Sequence, residues 1–173
     1  MYKKQSRMQD VGRFIVVFVG AIFVIVGYVV AYVMGLPLLE QAKASSNWPT
    51  TAGLVLKSKV VSHRSNNSST YLAKVNYQYQ VEGKRLESET VWFGGDVSTS
   101  DQAMVRETVK KYPVDQKVIV YYNPEDPEIA VLEPGVFKTT YFYYLFGWLF
   151  LGVGILMTGI PLFRSLFRRV KAV

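Results

Sequence analysis

The sequence predicts a membrane protein of the α+β class, in which two transmembrane helices flank a small antiparallel β domain with one short helix. Three observations lead to this prediction. Two long segments, 14–39 and 139–163, contain no charged residue. The chain between them alternates apolar and polar residues, as half-buried strands do. Within that region, 98–112 changes to the spacing of an amphipathic helix.

The two uncharged segments are long enough to cross a bilayer as helices. A helix rises about 1.5 Å per residue, so roughly 20 apolar residues span a hydrocarbon core of about 30 Å. We therefore predict transmembrane helices at 13–36 and 139–163. The alternative for the first is a cleaved signal peptide, because Ala42-Lys43-Ala44 has the small-x-small form. Its apolar run of 26 residues exceeds the usual h-region of about 7–15.

The net charge of +7 is confined to the two ends of the chain. The segment 37–138 contains twelve basic and twelve acidic residues, so its net charge is zero. Basic residues precede the first helix in the tail 1–12 and follow the second in the tail 164–173. Because positive flanks remain cytoplasmic, both termini are predicted to be cytoplasmic and 37–138 to be extracytoplasmic. Basic residues in two short tails suit anionic lipid rather than nucleic acid.

The middle segment is predicted to form strands and one helix. In 71–81 the odd-numbered residues are apolar or aromatic, which predicts a strand with one packed face. Glu82-Gly83 supplies the following turn, and an earlier strand begins after Trp48-Pro49. We expect a polar loop at 63–70 between these two strands. The helix is predicted to be capped by Ser98 or Ser100 and stopped by Pro113.

The stretch "NPEDPE", residues 123–128, is either a turn or an acidic site. Proline fixes φ in turns, and Asn and Asp side chains accept backbone hydrogen bonds there. A metal site would need a calcium-loop spacing or a nearby histidine, and this stretch has neither. We therefore predict a hairpin turn between a central strand, 117–122, and a return strand, 129–135.

The middle segment resembles a bacterial membrane family called domain of unknown function 3592. The resemblance covers roughly 46–135 and depends on three motifs in order, "WPTTAGLVLKSKV", "VNYQYQVEGKRLES" and "YPVDQKVIVYYNPEDPEIAVLEPG". Asp115-Gln116 stands where the family usually has a glycine, and Asp tolerates the left-handed region that such a turn needs. The resemblance implies the fold and a location in the bacterial inner membrane. It implies no activity and no catalytic residues.

The candidates for chemistry are few, and we predict no catalytic, cofactor-binding or metal site. His63 is the only histidine and there is no cysteine, so a three-histidine or thiolate metal site cannot form within one chain. The alternative readings of His63 are a solvated loop residue and a functional base.

Small residues on the two apolar segments are predicted to pack helices together. Gly27, Ala31 and Gly35 are spaced four apart, and Gly147 and Gly154 seven apart. Such spacing lets another helix approach closely. The partner is either the other helix of the same chain or, in a homodimer, a second copy.

We expect the extracytoplasmic domain to act as a non-enzymatic binding module. Its partner would be an envelope protein, in a membrane complex or as the target of an immunity-type protein. The expected contact residues are His63, Arg64, Trp92 and Phe93, in two segments predicted to be irregular, 63–70 and 93–98. No cofactor is expected. The alternative is an accessory subunit or enzyme that acts on lipid or cell-wall substrates at the outer surface of the inner membrane.

Overall fold

A computed structural model describes residues 2–65, 68–95 and 98–170. The chain divides into two compact units. One contains the chain up to Pro37 and from Phe142 onward, and the other contains Leu38–Tyr141. The first unit is helical and the second contains the sheet, so the α+β class is confirmed.

The first unit consists of two long helices that pack against each other. Helix α1 spans Tyr2–Tyr28, and a π-helical segment, Val29–Gly35, continues it. Helix α4 spans Phe142–Val170. The helices run antiparallel, because Gly20 lies beside Met157 whereas Gly35 lies beside Tyr144. Both are long and apolar enough to cross a membrane.

The π-helical segment ends two residues before Pro37, and the sequence predicted the first helix to end at residue 36. Helix α2 instead spans Leu36–Ser45. Proline has no N–H to donate to the carbonyl four residues earlier, and its ring crowds that carbonyl. The chain responds with a wider turn, in which the Leu36 N–H donates to the Ala31 oxygen, five residues back. Helical structure therefore passes through the proline.

The second unit is built on a five-stranded antiparallel sheet in the order β3-β2-β1-β4-β5. The strands are β1, Thr50–Ser65; β2, Ser68–Val81; β3, Lys84–Ser88; β4, Lys117–Tyr122; and β5, Ala130–Val131. Strand β1 carries a bulge between Val55 and Lys57. Helix α3 spans Gln102–Lys111, and a short 3₁₀ helix spans Lys138–Tyr141.

The predicted alternation of β2 is confirmed. Its odd-numbered residues from Val75 to Val81 are buried in the main core. Val55 and Val120 on the neighbouring strands join them, and Val91, Tyr112 and Leu132 cover them from the chain outside the sheet. Burial of this apolar surface is what holds the segments outside the strands against the sheet.

Two turns adopt the left-handed backbone that their residues predicted. Glu82 and Gly83 both have positive φ, 50° and 83°, as a two-residue hairpin requires. Asp115 has φ of 66°, so it takes the conformation for which the family usually uses glycine. Its N–H donates to the Val55 oxygen at 2.9 Å.

The predicted polar loop at 63–70 was wrong. Strand β1 continues to Ser65 and β2 begins at Ser68, with His63 opposite Thr70; Asn66 and Asn67 lie outside the described residues. The end of β1 from residue 62 and the start of β2 up to residue 70 form an arm that is polar on both faces. This arm therefore lacks the alternation of apolar and polar residues by which strands are recognised. The backbone ladder forms without an apolar face to signal it.

Two smaller expectations were also wrong. The return strand after the acidic turn is only Ala130–Val131, because the Leu132 and Glu133 N–H groups donate to the Val91 oxygen instead of a strand. The cap of α3 is Asp101, whose carboxylate accepts from the N–H groups of Ala103 and Met104 at 3.0 and 3.2 Å. Ser98 and Ser100, which were predicted to be the cap, both precede Asp101 in the chain.

Candidate functional site

One face of the sheet carries the main core, whereas the opposite face is open over much of β1 to β4 and is covered at its β4–β5 end, where Tyr121 and Val131 pack with Ala42 and Phe93. Residues that pair across antiparallel strands share a face, and the bulge in β1 moves the alternation by one residue, so Leu54 and Lys57 both lie opposite the core face. We call the side chains on this side the open face. Its members are Ala52, Leu54, Lys57, Lys59 and Val61 on β1, Leu72, Lys74, Asn76, Gln78 and Gln80 on β2, Arg85 and Glu87 on β3, and Lys117 and Ile119 on β4.

The open face is rich in cations. Lys74 forms an ion pair with Glu89 at 3.0 Å, and Asn76 donates to Glu87 at 3.4 Å. The other basic side chains form no ion pair within the described part of the chain; they are Lys57, Lys59, Arg85 and Lys117. Lys59 lies directly opposite Lys74 in the strand register, an arrangement of like charges that destabilises a sheet.

A shallow groove of about 410 Å³ crosses the open face. Arg85 lines it on β3 and Lys117 lines it on β4, with β2 and β1 between them. Since adjacent strands lie about 4.8 Å apart, the two cationic residues are about 14 Å apart measured across the strands. Leu54, Gln78 and Gln80 also line the groove. Beside it Ile119 is 63% exposed, so the face offers cations, amides and apolar contact area together.

A second cavity, of about 190 Å³, lies between β2, the segment 89–95 and α3. The Lys74–Glu89 ion pair and Trp92 line it. The Trp92 indole N–H donates to the Thr139 hydroxyl at 3.1 Å. The Gly95 backbone lies so close to the indole ring that an added Cβ would be 2.7 Å from Cε2. Trp92 is therefore held by the domain itself, with its ring half-buried.

The residues predicted to contact a partner do not form one surface. His63 and Arg64 are exposed near the end of β1, and His63 continues the open-face alternation of Lys57 and Lys59. Phe93 is 5% exposed and packs edge-on against Trp48 at 5.8 Å between ring centroids. The expected partner contact at Phe93 is therefore corrected to a core role. The segment 93–98 is described only in part, since Asp96 and Val97 lie outside the described residues.

The residues predicted for helix packing lie where α1 and its π-helical continuation meet α4. A Cβ added to Gly27 would lie 2.5 Å from the Leu151 nitrogen, and one added to Gly35 would lie 2.6 Å from the Tyr144 nitrogen. Gly147 lies directly against Ala31. Gly154 lies against Val24, where an added Cβ would be 2.7 Å from the nitrogen. The partner of each is the other helix of the same chain.

The acidic stretch 123–128 forms a turn. The Asn123 side-chain oxygen accepts from the Glu125 N–H at 3.0 Å, and the Asp126 carboxylate accepts from the Glu128 N–H at 3.2 Å. These are the local side-chain contacts that place Asn and Asp in turns. Glu128 also pairs with Lys84 at 3.1 Å. The described residues contain no group of three or more His, Cys, Asp or Glu placed to hold a metal ion.

Three buried tyrosines make hydrogen bonds to the loops; Tyr77 and Tyr79 bond from β2, and Tyr112 bonds from the end of α3. The Tyr77 hydroxyl lies 2.8 and 3.0 Å from the Thr90 and Ala130 oxygens. Tyr79 donates to the Pro127 oxygen at 2.6 Å, and Tyr112 donates to Glu133 at 2.9 Å. Burial, aided by Glu128 and Asp126, raises the pKa of Tyr79 from 10.0 to about 12. Burial also raises the pKa of the other two, so all three remain protonated donors at neutral pH.

Residues 51–137 match the model of the family described as Domain of unknown function (DUF3592). The chain belongs to this family. The match begins one residue after the start of β1 and ends one residue before the 3₁₀ helix, so the DUF3592 region corresponds to the sheet and the segments packed on it. A search of curated proteins found no match to the chain. The resemblance inferred from the three motifs is confirmed.

The open face was missed by sequence reasoning. Lys57 and Lys59 share a parity with each other but not with Leu54, because the bulge intervenes. Their neighbours Arg85 and Lys117 come from distant parts of the sequence and become neighbours only through the strand order. The one local signal was the exposed lysine pair at alternating positions in "LKSKV".

Proposed function

We propose that this DUF3592 protein is an integral membrane protein whose two long helices form its anchor. The observation that supports the anchor is the exposure of large apolar side chains along packed helices. Phe14 is 71% exposed and Leu145 is 62% exposed, although α1 and α4 contact each other. Removing such a side chain from water contributes about 1.5–3 kcal/mol, so a row of them favours a lipid environment. In the most apolar 18-residue stretch of each helix, only 17% is buried inside the described chain.

The proposed location is the bacterial inner membrane, with both termini cytoplasmic and the sheet unit extracytoplasmic. The distribution of basic residues supports this orientation. Alkaline phosphatase, which folds only outside the cytoplasm, tests it as a fusion at Gly83 and as a second fusion after Val173. We expect activity only from the Gly83 fusion. Activity from the fusion after Val173 would reverse the proposed position of the second terminus.

The sheet unit is proposed to be a non-enzymatic module that binds a protein partner in the envelope. The observation that carries this proposal is the open face, where charged, amide and apolar side chains lie together on a rigid sheet and are left uncovered by the described chain. Interfaces combine an apolar centre with polar groups that fix orientation. The buried face of the same strands already supplies the core.

Crosslinking in native membranes tests the module. The wild-type chain is compared with an anchor-only chain, in which a Gly-Ser linker replaces 38–141. A partner recovered with the wild type and lost with the anchor-only chain supports binding by the sheet unit. Equal recovery from both chains would transfer the interaction to the helices and overturn the proposal.

A further inference from the structure

We propose that the open face binds an extended acidic segment of a partner protein. The carboxylates of that segment contact Lys57, Lys59, Arg85 and Lys117. This inference rests on the proposed binding function and specifies the chemistry of the partner.

The charges of the sheet unit are segregated even though they cancel. Over 37–138 there are twelve basic and twelve acidic residues, yet the four cations named above share one face and make no ion pair in the described chain. Glu87 is an exposed carboxylate on this face and Glu89 pairs with Lys74, so the face still has an excess of cations, while Glu125 and Asp126 are exposed in the turn before β5. A neutral unit with one cationic face attracts an anionic partner to that face alone.

The opposed lysines give a second reason. Lys59 and Lys74 pair directly across β1 and β2, and like charges in this position destabilise the strand pair. Glu89 compensates Lys74 at 3.0 Å but leaves Lys59 without a carboxylate in the described chain. A carboxylate supplied from outside relieves this repulsion, so the face is better satisfied in a complex than alone.

The spacing of the cations matches an extended segment. Residues two apart on a strand are separated by about 6.7 Å, so Lys57 and Lys59 repeat at the distance of alternate side chains on a second extended chain. The groove adds the Gln78 and Gln80 amides, and Leu54 supplies apolar contact. A peptide can use all three kinds of group. A lipid headgroup surface uses chiefly the cations, which favours the peptide.

The direct test measures binding of a fluorescent ten-residue peptide that alternates Glu and Val. The full-length protein is held in phosphatidylcholine nanodiscs. The face variant combines Lys57→Gln, Lys59→Gln, Arg85→Gln and Lys117→Gln. The control variant removes the same charge at exposed positions elsewhere, with Lys43→Gln, Arg106→Gln, Lys110→Gln and Lys138→Gln. We expect at least about tenfold weaker binding by the face variant and little change in the control.

A charge exchange sharpens the result. A variant with Lys57→Glu, Lys59→Glu and Lys117→Glu should lose the Glu-Val peptide and bind the corresponding Lys-Val peptide. Circular dichroism and size-exclusion chromatography check that each variant is folded, and a variant that misfolds is replaced by its single substitutions. Binding of the Glu-Val peptide should also weaken between 50 and 500 mM salt, because exposed charges are screened.

Several outcomes would overturn the inference. Equal losses in the face and control variants would mean that only net charge matters. Face-dependent binding to phosphatidylglycerol vesicles without peptide binding would assign the face to lipid. Self-association that the face variant abolishes, again without peptide binding, would assign it to a second copy. A crosslinked partner that requires the sheet unit but is unchanged in the face variant would reject this inference while leaving the binding module intact.

Discussion

The two faces of the DUF3592 sheet share the same strands and differ in what surrounds them. On β2, Tyr77 is fully buried in the core while its neighbour Gln78 lines an open groove. The core face is covered by the chain around Val91, Tyr112 and Leu132, which lie outside the strands. Tyrosine hydroxyl bonds and apolar contacts hold this covering chain in place. The difference teaches that this fold concentrates its buried apolar residues on one face and places cations that form no ion pair within the described chain on the other, beside exposed apolar residues such as Ile119.

The largest difference in stability is expected between substitutions at two adjacent positions on β2. Tyr77→Ala should lower the free energy of unfolding by about 4 kcal/mol, because the loss of a large buried aromatic leaves a cavity and removes the hydroxyl that contacts the Thr90 and Ala130 oxygens. Gln78→Ala should change it by less than about 0.5 kcal/mol. Chemical denaturation of both variants measures the difference, and similar losses would remove the distinction between the faces.

The helical unit offers a second matched pair of packed and open positions. Gly147→Val should destabilise the helix pair by about 1–3 kcal/mol, because its added side chain meets the Ala31 backbone. Gly152→Val should be tolerated, since no atom of the described chain lies within 4 Å of its added Cβ. Unfolding in mixed detergent micelles compares the two. Should Gly152→Val prove the more harmful, that side of α4 would be in contact with another molecule, such as a second copy of the chain.

Alkaline pH should weaken the core face selectively. The pKa of Tyr79 is 10.0 when unfolded and about 12 when folded, so the folded state holds the proton more tightly. The stabilisation is full below pH 10 and is lost as pH rises from 10 through 12. Wild-type stability should therefore fall between pH 9 and pH 11.5. A Tyr79→Phe variant should fall less steeply, and an identical slope would show that Tyr79 contributes nothing to the change.

The smallest effect is expected at the acidic turn. Glu125→Gln, Asp126→Asn and Glu128→Gln together should shift stability by less than about 0.5 kcal/mol, because Asn retains the turn contact and the Glu128–Lys84 pair is exposed. Asn123→Ala alone should cost more, about 1 kcal/mol, since the Glu125 N–H loses its acceptor. Partner recovery from membranes should be unchanged in the triple variant, and its loss in a folded protein would restore an acidic site.

Much of the fold was predictable because its signals are local. The alternation of β2, the glycine turn at 82–83 and the left-handed Asp115 each follow from a few adjacent residues. The ends of the elements were less predictable. The polar arm of β1 and β2 has no apolar periodicity, and the helix passed through Pro37 by widening one turn.

By itself the sequence determined the two apolar helices, the buried face of the sheet and the family, since each depends on residues close together in the chain. Only the tertiary structure decided which charges meet. A one-residue bulge changed the face of Lys57, and the strand order brought Arg85 and Lys117 to opposite sides of one groove. The tertiary structure also decided that Phe93 is buried in the core. The physical reason is that electrostatic and packing neighbours are set by strand register and order, which single-strand patterns do not encode.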